Sequence, residues 1–311
     1  MAVIKELSKS TVLKLAAGEI IERPVSIVKE LIENAIDANA TIIKIDLKDG
    51  GISEIKIIDN GHGIEHDDIE KTIIPHATSK LESYSDLEDV FTMGFRGEAL
   101  SSIAEISDIT ILTMHKNNDI GIELSKIATA STPTIKHKAT QEGTCITISH
   151  LFKNVPVRFK FLKQPATECN AITKCVQQLS LHYPNIAFSL SNNSIDILST
   201  NGKNNLNTTF TKILNKKEAD TLTINKTTND VTVTGIITTP NITYKNKQKC
   251  WFSINHRMVE SPIFIKAMQS ALTDIIPKNH FPAIVCNINA PTKDIDINIH
   301  PKKETVKFAN S

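Results

Sequence analysis

Glu30, Asn34 and Asp37 stand four and three residues apart, so on a helix they fall within about 60° of one another. An acid, an amide oxygen and a second acid in one stripe can activate a water and hold a hard cation. Any surface helix also shows such a stripe, with its acids merely solvated. A second cluster, Asp59-Asn60-Gly61-His62-Gly63-Ile64, sets a carboxylate ahead of two glycines. That spacing makes an ordinary turn, or it lets backbone approach a ligand while Asp59 accepts from the ligand's amine. His76-Ala77-Thr78-Ser79-Lys80 places two hydroxyls before a lysine. Gly94-Phe95-Arg96-Gly97-Glu98-Ala99-Leu100 is a glycine-bounded loop that opens onto a helix-like stretch at Ser101. The free N–H groups and dipole of a helix start favour phosphate. No G-x-x-x-x-G-K-[ST] loop occurs, and no G-x-G-x-x-G follows a strand.

The elements that must position these groups are legible in the apolar spacing. Ile27, Val28, Leu31, Ile32, Ala35 and Ile36 recur at three and four residues, predicting an amphipathic helix from Pro24 to Asp37. Pro24 suits its first turn, and Asn39 suits a left-handed stop. A short helix over 8–17, capped by Ser8 or Ser10 and ended at Gly18, precedes it. Strands at 41–47 and 55–59 flank an Asp49-Gly50-Gly51 hairpin turn, and the second strand runs into Asp59. Ile109–Thr113, Ile122–Leu124 and Thr144–Ser149 alternate as in an antiparallel sheet, the last opened by Gly143-Thr144. A helix near 166–182 follows, then an asparagine-rich linker at 199–207. Beyond it come strands at 230–238, 249–254, 283–289 and 294–299 and a helix near 261–275. Lys303 follows His300-Pro301, where it can meet a phosphate or simply face water.

A length of 311 residues suits two domains, placed at 1–205 and 206–311. No run of about 18 apolar residues exists, so no membrane span is expected. The N-terminus lacks a secretory signal pattern. Cys145, Cys169, Cys175, Cys250 and Cys286 form no C-x-x-C pair and read as thiols of a reducing cytosol. The net charge of +1 divides unevenly: residues 206–311 carry 14 Lys and Arg against 8 Asp and Glu. The second domain is therefore the better candidate for a polyanion. Only four arginines occur, Arg23, Arg96, Arg158 and Arg257, a hint that planar donors are needed there. The basic-aromatic stretch Asn154–Lys163 can touch nucleic acid; a helix lead-in whose lysine stems cover apolar surface is the preferred reading.

The order E-x-x-x-N, D-x-G-x-G, glycine-bounded lid and G-T resembles the GHKL ATPase superfamily. Longer strings narrow it: Ala16–Pro24, Glu33-Asn-Ala-Ile-Asp37-Ala, Asp59–Ile64, His76–Lys80, Gly94–Leu100, Asn154–Leu162 and His300–Lys303 resemble the MutL family of DNA mismatch-repair proteins. Asn39 stands where that family usually has glycine, and Val157 and Phe159 fall in a segment often richer in arginine. The resemblance implies an α+β fold, with helices on a mixed or antiparallel sheet of Bergerat type. A smaller α/β domain resembling ribosomal protein S5 domain 2 follows it. It implies Glu30 as general base, Asn34 as ligand of Mg²⁺, and Asp59 with Thr144 at the adenine of ATP, beside Gly61, Gly63 and Ile64. Thr78, Ser79, Lys80 and Gly94, Phe95, Arg96, Gly97, Glu98, Ala99 and Leu100 become a phosphate lid, and Lys303 the cation at the γ-phosphate. Slow ATP hydrolysis would then drive lid ordering and an ATP-dependent homodimer that clamps double- or single-stranded DNA without reading its sequence. Arg257, Lys266, Lys278 and Arg158 are the candidate DNA contacts. Expected partners are a mismatch-recognition protein and a downstream endonuclease or helicase, in a bacterial cytoplasm at the nucleoid. A linker and a C-terminal dimerisation domain are expected beyond residue 311. The rival readings are a topoisomerase- or chaperone-type relative, and a nucleotide-gated DNA-binding scaffold that does not hydrolyse.

Overall fold

The computed structural model describes residues 20–78, 97–255, 257–259, 261–291, 295–296 and 307–308. The expected first helix at 8–17 lies outside them, as does most of the segment around His300. The chain divides into two compact units, Met1–Gln177 with Asn185–Lys203, and Gln178–Pro184 with Asn204–Ser311.

The first unit is built on eight strands: β1 (Ile42–Lys48), β2 (Glu54–Asp59), β3 (Asp108–Met114), β4 (Ile122–Lys126), β5 (Thr134–His137), β6 (Gly143–Ser149), β7 (Ala187–Asn192) and β8 (Ile195–Ser199). They form one sheet in the order β5-β4-β3-β6-β2-β1-β7-β8. Neighbours are antiparallel except β1 and β7, which run parallel. Along β1, Ile43, Ile45 and Leu47 are buried while Lys44, Asp46 and Lys48 are exposed. That alternation gives the sheet one covered face and one wet face.

Helix α1 (Pro24–Asp37) starts at Pro24, as expected. Ile27, Val28 and Ile32 are fully buried, and each contributes about 1.5–3 kcal/mol relative to staying in water. The helix ends where Asn39 turns left-handed at φ 59°. The β1–β2 connection is a single tight turn whose Asp49, Gly50 and Gly51 all have positive φ. A Cβ on Gly50 would sit 2.1 Å from the Pro165 carbonyl oxygen, so helix α4 (Pro165–His182) lies directly on that turn. Between α1 and α4 in sequence lie α2 (Ala99–Ile106) and the one-turn α3 (Pro156–Phe159).

A half-buried ion pair ties the start of α1 to the start of α4. Arg23 donates through Nε and Nη2 to Glu168 Oε2 at 3.1 and 3.0 Å, and Lys163 N donates to Glu168 Oε1 at 3.0 Å. Glu168 is fully buried.

The second unit holds α5 (Leu206–Leu214), β9 (Thr221–Thr228), β10 (Val231–Thr238), β11 (Cys250–Ile254), β12 (Arg257–Val259), α6 (Pro262–Ala271) and β13 (Ile284–Asn289). Its sheet runs β12-β11-β13-β10-β9, with only β11 and β13 parallel. Phe210, Leu214, Ile236, Trp251 and Val285 form one core cluster with Leu181. A two-stranded ladder joins β14 (Ile295–Asp296) to β15 (Lys307–Phe308).

Several elements were not foreseen. β5, β8 and β9 are polar edge strands with weak alternation, and β7 is a short strand beside one of them; Thr223 and Asn225–Thr228 of β9 are exposed. Part of the expected linker is helical: Asn205 caps α5 by accepting from Thr208 N at 3.0 Å. Helix α6 stops at Ala271, four residues short of the expected end.

Removing Arg23 leaves the buried Glu168 carboxyl without its side-chain partner. Arg23→Ala should lower the unfolding free energy by about 3 kcal/mol, read from urea denaturation. An unchanged midpoint would show the pair to be idle.

Candidate active site

Asp59, Thr144 and Thr113 come together because strand parity and register agree. Asp59 ends β2 on the side of buried Ile55 and Ile57, Thr144 begins β6 on the side of Ile146 and Ile148, and Thr113 follows Ile109 and Ile111 on β3. Asp59 pairs with Thr144, and Thr144 with Thr113. Three polar side chains therefore stand in a row at one end of the covered face. Thr113 Oγ1 donates to Gly143 O at 2.9 Å, lies 3.2 Å from Thr144 Oγ1 and accepts from Ile64 N at 3.0 Å.

The Asp59–Gly63 loop is anchored to the end of α1. His62 N donates to Ala38 O at 3.0 Å, and Asn60 Oδ1 accepts from Thr41 N and Ile42 N, both at 2.8 Å. Gly61 N donates to Asp59 Oδ1 at 2.9 Å. Two glycines are required by space. A Cβ on Gly63, at φ +72°, would meet Met114 O at 2.2 Å; one on Gly143, at φ +115°, would meet Asp59 O at 2.2 Å. Gly63 thus packs on the end of β3 and Gly143 on the end of β2, backbone against backbone. Burial pushes the Asp59 carboxyl above its ordinary value, against the Gly61 and Thr144 N–H groups and the His62 charge, which pull it down.

Helix α1 carries Glu30 and Asn34 on its half-buried side, and Asp37 lies in the last turn. Glu33 is turned inward and is 7% exposed, so Glu30 is the acid of that pair with access to solvent. At the other described edge, His76 Nδ1 meets Glu98 Oε1 at 3.1 Å and His76 N donates to Gly97 O at 3.1 Å. Gly97, at φ +60°, packs on Ala77 O, and α2 begins at Ala99, so Thr78 and Gly97–Leu100 belong to one local unit at a helix start.

Ser79, Lys80, Gly94, Phe95, Arg96 and Lys303 lie outside the described residues. Arg257 lies on β12; Lys266 on α6 and Lys278 beyond it are exposed, and Arg158 on α3 is half-buried. The basic-aromatic stretch leads into α4, as its preferred reading had it, and leaves Val157, Phe159 and Phe161 exposed. Thr113 and His76 went unrecognised as site groups; Glu98, the partner of His76, was already among the expected lid residues. The Thr113 signal was present, since its strand alternation puts it on the covered face.

Residues 22–152 match the family of histidine kinase-, DNA gyrase B- and HSP90-like ATPases, and residues 210–311 match the C-terminal domain of DNA mismatch repair proteins. The MutL protein of Clostridium acetobutylicum is 40% identical over 308 residues, spanning 99% of this chain and 49% of that protein. That of an Exiguobacterium species is 36% identical over 313 residues, with 99% and 51% spanned. The chain belongs to the MutL family. It spans about half the length of these curated relatives. Among solved structures, the N-terminal domain of a DNA repair protein superposes with TM-score 0.80 at 25% identity, covering 96% of this chain and 92% of that one. The Aquifex aeolicus MutL ATPase domain complexed with ADP has TM-score 0.68 at 24% identity, covering 88% and 93%, a likeness of fold. The first unit of this MutL-family chain is an ATPase domain of the GHKL class, and the whole is α+β.

The raised Asp59 carboxyl carries a stability consequence. In the folded chain it holds its proton to higher pH than in the unfolded chain, whose ordinary value is 3.8. Stability is therefore lost as pH rises from 3.8 through the folded value, and the ionised group is a cost at neutral pH. Asp59→Asn should be more stable than wild type to urea at pH 7, with the gap closing toward pH 4. Equal stability at pH 7 would refute this reading of the site.

Proposed function

We propose that this MutL-family chain binds ATP at the row formed by Asp59, Thr144 and Thr113 and hydrolyses it slowly. The row carries the reading: a buried carboxylate at a strand end, backed by two hydroxyls and ringed by Gly61, Gly63 and Gly143, suits a flat base with an exocyclic amine. One Asp59 oxygen already accepts from Gly61 N, and the carboxylate keeps further lone pairs for the 6-amino group of adenine. Side chains at Gly61 and Gly63 would collide with Ala38 O and Met114 O and push the loop out of the place where it flanks the base.

Asn34 offers a hard oxygen one helical turn from Glu30, a donor set that fits Mg²⁺. When bound, that ion supplies charge neutralisation across the phosphates. Glu30, half-buried on the same stripe, takes the proton of the attacking water as general base. Thr78 and Gly97–Leu100 offer a hydroxyl and a helix start to the phosphates; Ser79, Lys80, Gly94, Phe95, Arg96 and the Lys303 cation complete the reading on resemblance alone. Positioning and electrostatics supply most of the catalysis in such transfers, and a lid that must order first keeps turnover slow.

At the scale of the whole protein, nucleotide binding would pair two N-terminal regions into a clamp on DNA, handing a mismatch signal to an endonuclease or helicase. The surplus of 14 cations over 8 acids in residues 206–311, including Arg257, Lys266 and Lys278, supports the second unit as the phosphate-facing surface.

ATP hydrolysis and nucleotide affinity, measured for wild type and Glu30→Ala, test the proposal. The variant should bind ATP with Mg²⁺ normally and lose turnover by roughly 100-fold or more. Equal turnover would remove Glu30 from the chemistry, and binding without turnover in the wild type would favour the nucleotide-gated scaffold. Duplex binding should be sequence-independent and weaken steeply between about 50 and 200 mM salt; a flat response would reject the DNA-binding surface.

A further inference from the structure

Residues 153–163 hold four cations, Lys153, Arg158, Lys160 and Lys163, and no acid, with Val157, Phe159 and Phe161 interleaved. They form a protruding turn. Pro156–Phe159 makes one helical turn, continued by Phe161 N donating to Arg158 O at 3.0 Å and Leu162 N to Phe159 O at 3.2 Å. The apolar side chains stay in water: Val157 is 67% exposed, Phe159 51% and Phe161 79%. A single exposed Phe is ordinary, but three large apolar side chains left in water on alternate residues of one turn are not.

The root of the turn is fixed on both sides. Phe152 is fully buried, and Asn154 Nδ2 donates to Glu105 O at 2.6 Å and to Ala128 O at 3.4 Å. On the far side, Lys163 N donates to Glu168, the buried carboxylate that Arg23 holds. The rings are thus presented on an ordered backbone, so little ordering entropy remains to oppose a partner.

We propose that this turn is a stacking platform for single-stranded nucleic acid, with Phe159 and Phe161 taking base faces while Lys160 and Lys163 meet the phosphates. It rests on the DNA-binding reading above and names the strand form that this unit would hold. A single strand offers free π-faces beside a polyanion, the two chemistries interleaved on the turn. Duplex bases are stacked on each other and have no face to give. A lipid surface would also take Phe and Lys, but rings two residues apart on a helical turn diverge by roughly 120–160° and cannot enter one plane together.

Binding of the full chain to oligothymidylate and to a duplex of equal length, in a salt series, tests this. Phe159→Ser/Phe161→Ser should bind oligothymidylate on the order of 10- to 100-fold more weakly, with duplex affinity and melting temperature unchanged. Its salt slope should stay the same, whereas Lys160→Gln/Lys163→Gln should lower the slope by about 1.4. Phe159→Trp/Phe161→Trp should retain binding and show Trp fluorescence quenched by the strand. Unchanged oligothymidylate affinity in the Ser variant, with duplex still bound, would sink the platform and leave the DNA reading intact. A wild type that binds neither form would remove both. Loss of binding to phosphatidylserine vesicles in the Ser variant, with oligothymidylate affinity intact, would assign the turn to lipid and overturn the proposal.

Discussion

The pairing of β2 with β6 and of β6 with β3 governs the site. A shift of one residue in either ladder would turn a side chain of the row to the wet face, because strand side chains alternate with a period of two. In the observed register, Asp59, Thr144 and Thr113 share the covered face, and Gly143 fits over the Asp59 carbonyl. The apolar residues behind them enforce that register. Ile55, Ile57, Ile109, Ile111, Ile146 and Ile148 are all buried, so slipping any strand would expose its whole apolar set.

Anchoring turns that register into a site. The D-x-G-x-G loop is not left to find its own shape: Ala38 holds His62, Asn60 holds the start of β1, and Gly61 returns its N–H to Asp59. The same helix, α1, supplies Glu30 and Asn34 from its half-buried side and the fully buried Ile27, Val28 and Ile32 from the other. One element thus serves as core and as catalytic support. Its start is pinned in turn by Arg23 on Glu168. Asp59 carries the electrostatic strain of this arrangement, a carboxyl held in a poorly solvated place where a ligand amine can satisfy it.

Much of this was legible before any coordinates. The three- and four-residue apolar spacing marked α1, Asn39 marked its left-handed end, and alternation marked β1, β2, β3 and β6. The same alternation already placed Thr113 on the covered face, but its partners were unknown, so it passed as the end of a strand. β7 and β8 escaped because they are short, and only Phe188, Leu190 and Leu198 among their residues are buried, with Ser189 and Ser191 on the other face of β7. Helix α5 escaped because asparagine and threonine, poor helix formers, surround Phe210 and Leu214, which earn their helix only by packing on Trp251 and Val285.

The sequence by itself determined what is local and periodic: which stretches are helix or strand, which side of each is apolar, and in what order the polar clusters follow one another. Tertiary structure alone decided what depends on distant chain meeting. It paired Arg23 with Glu168, 145 residues apart, and joined β1 to β7. It added Thr113 to Asp59 through β6. It also decided that Val157, Phe159 and Phe161 stand in water and not against a core. The reason is physical: a periodic pattern says which face must be buried, but only long-range packing says what buries it.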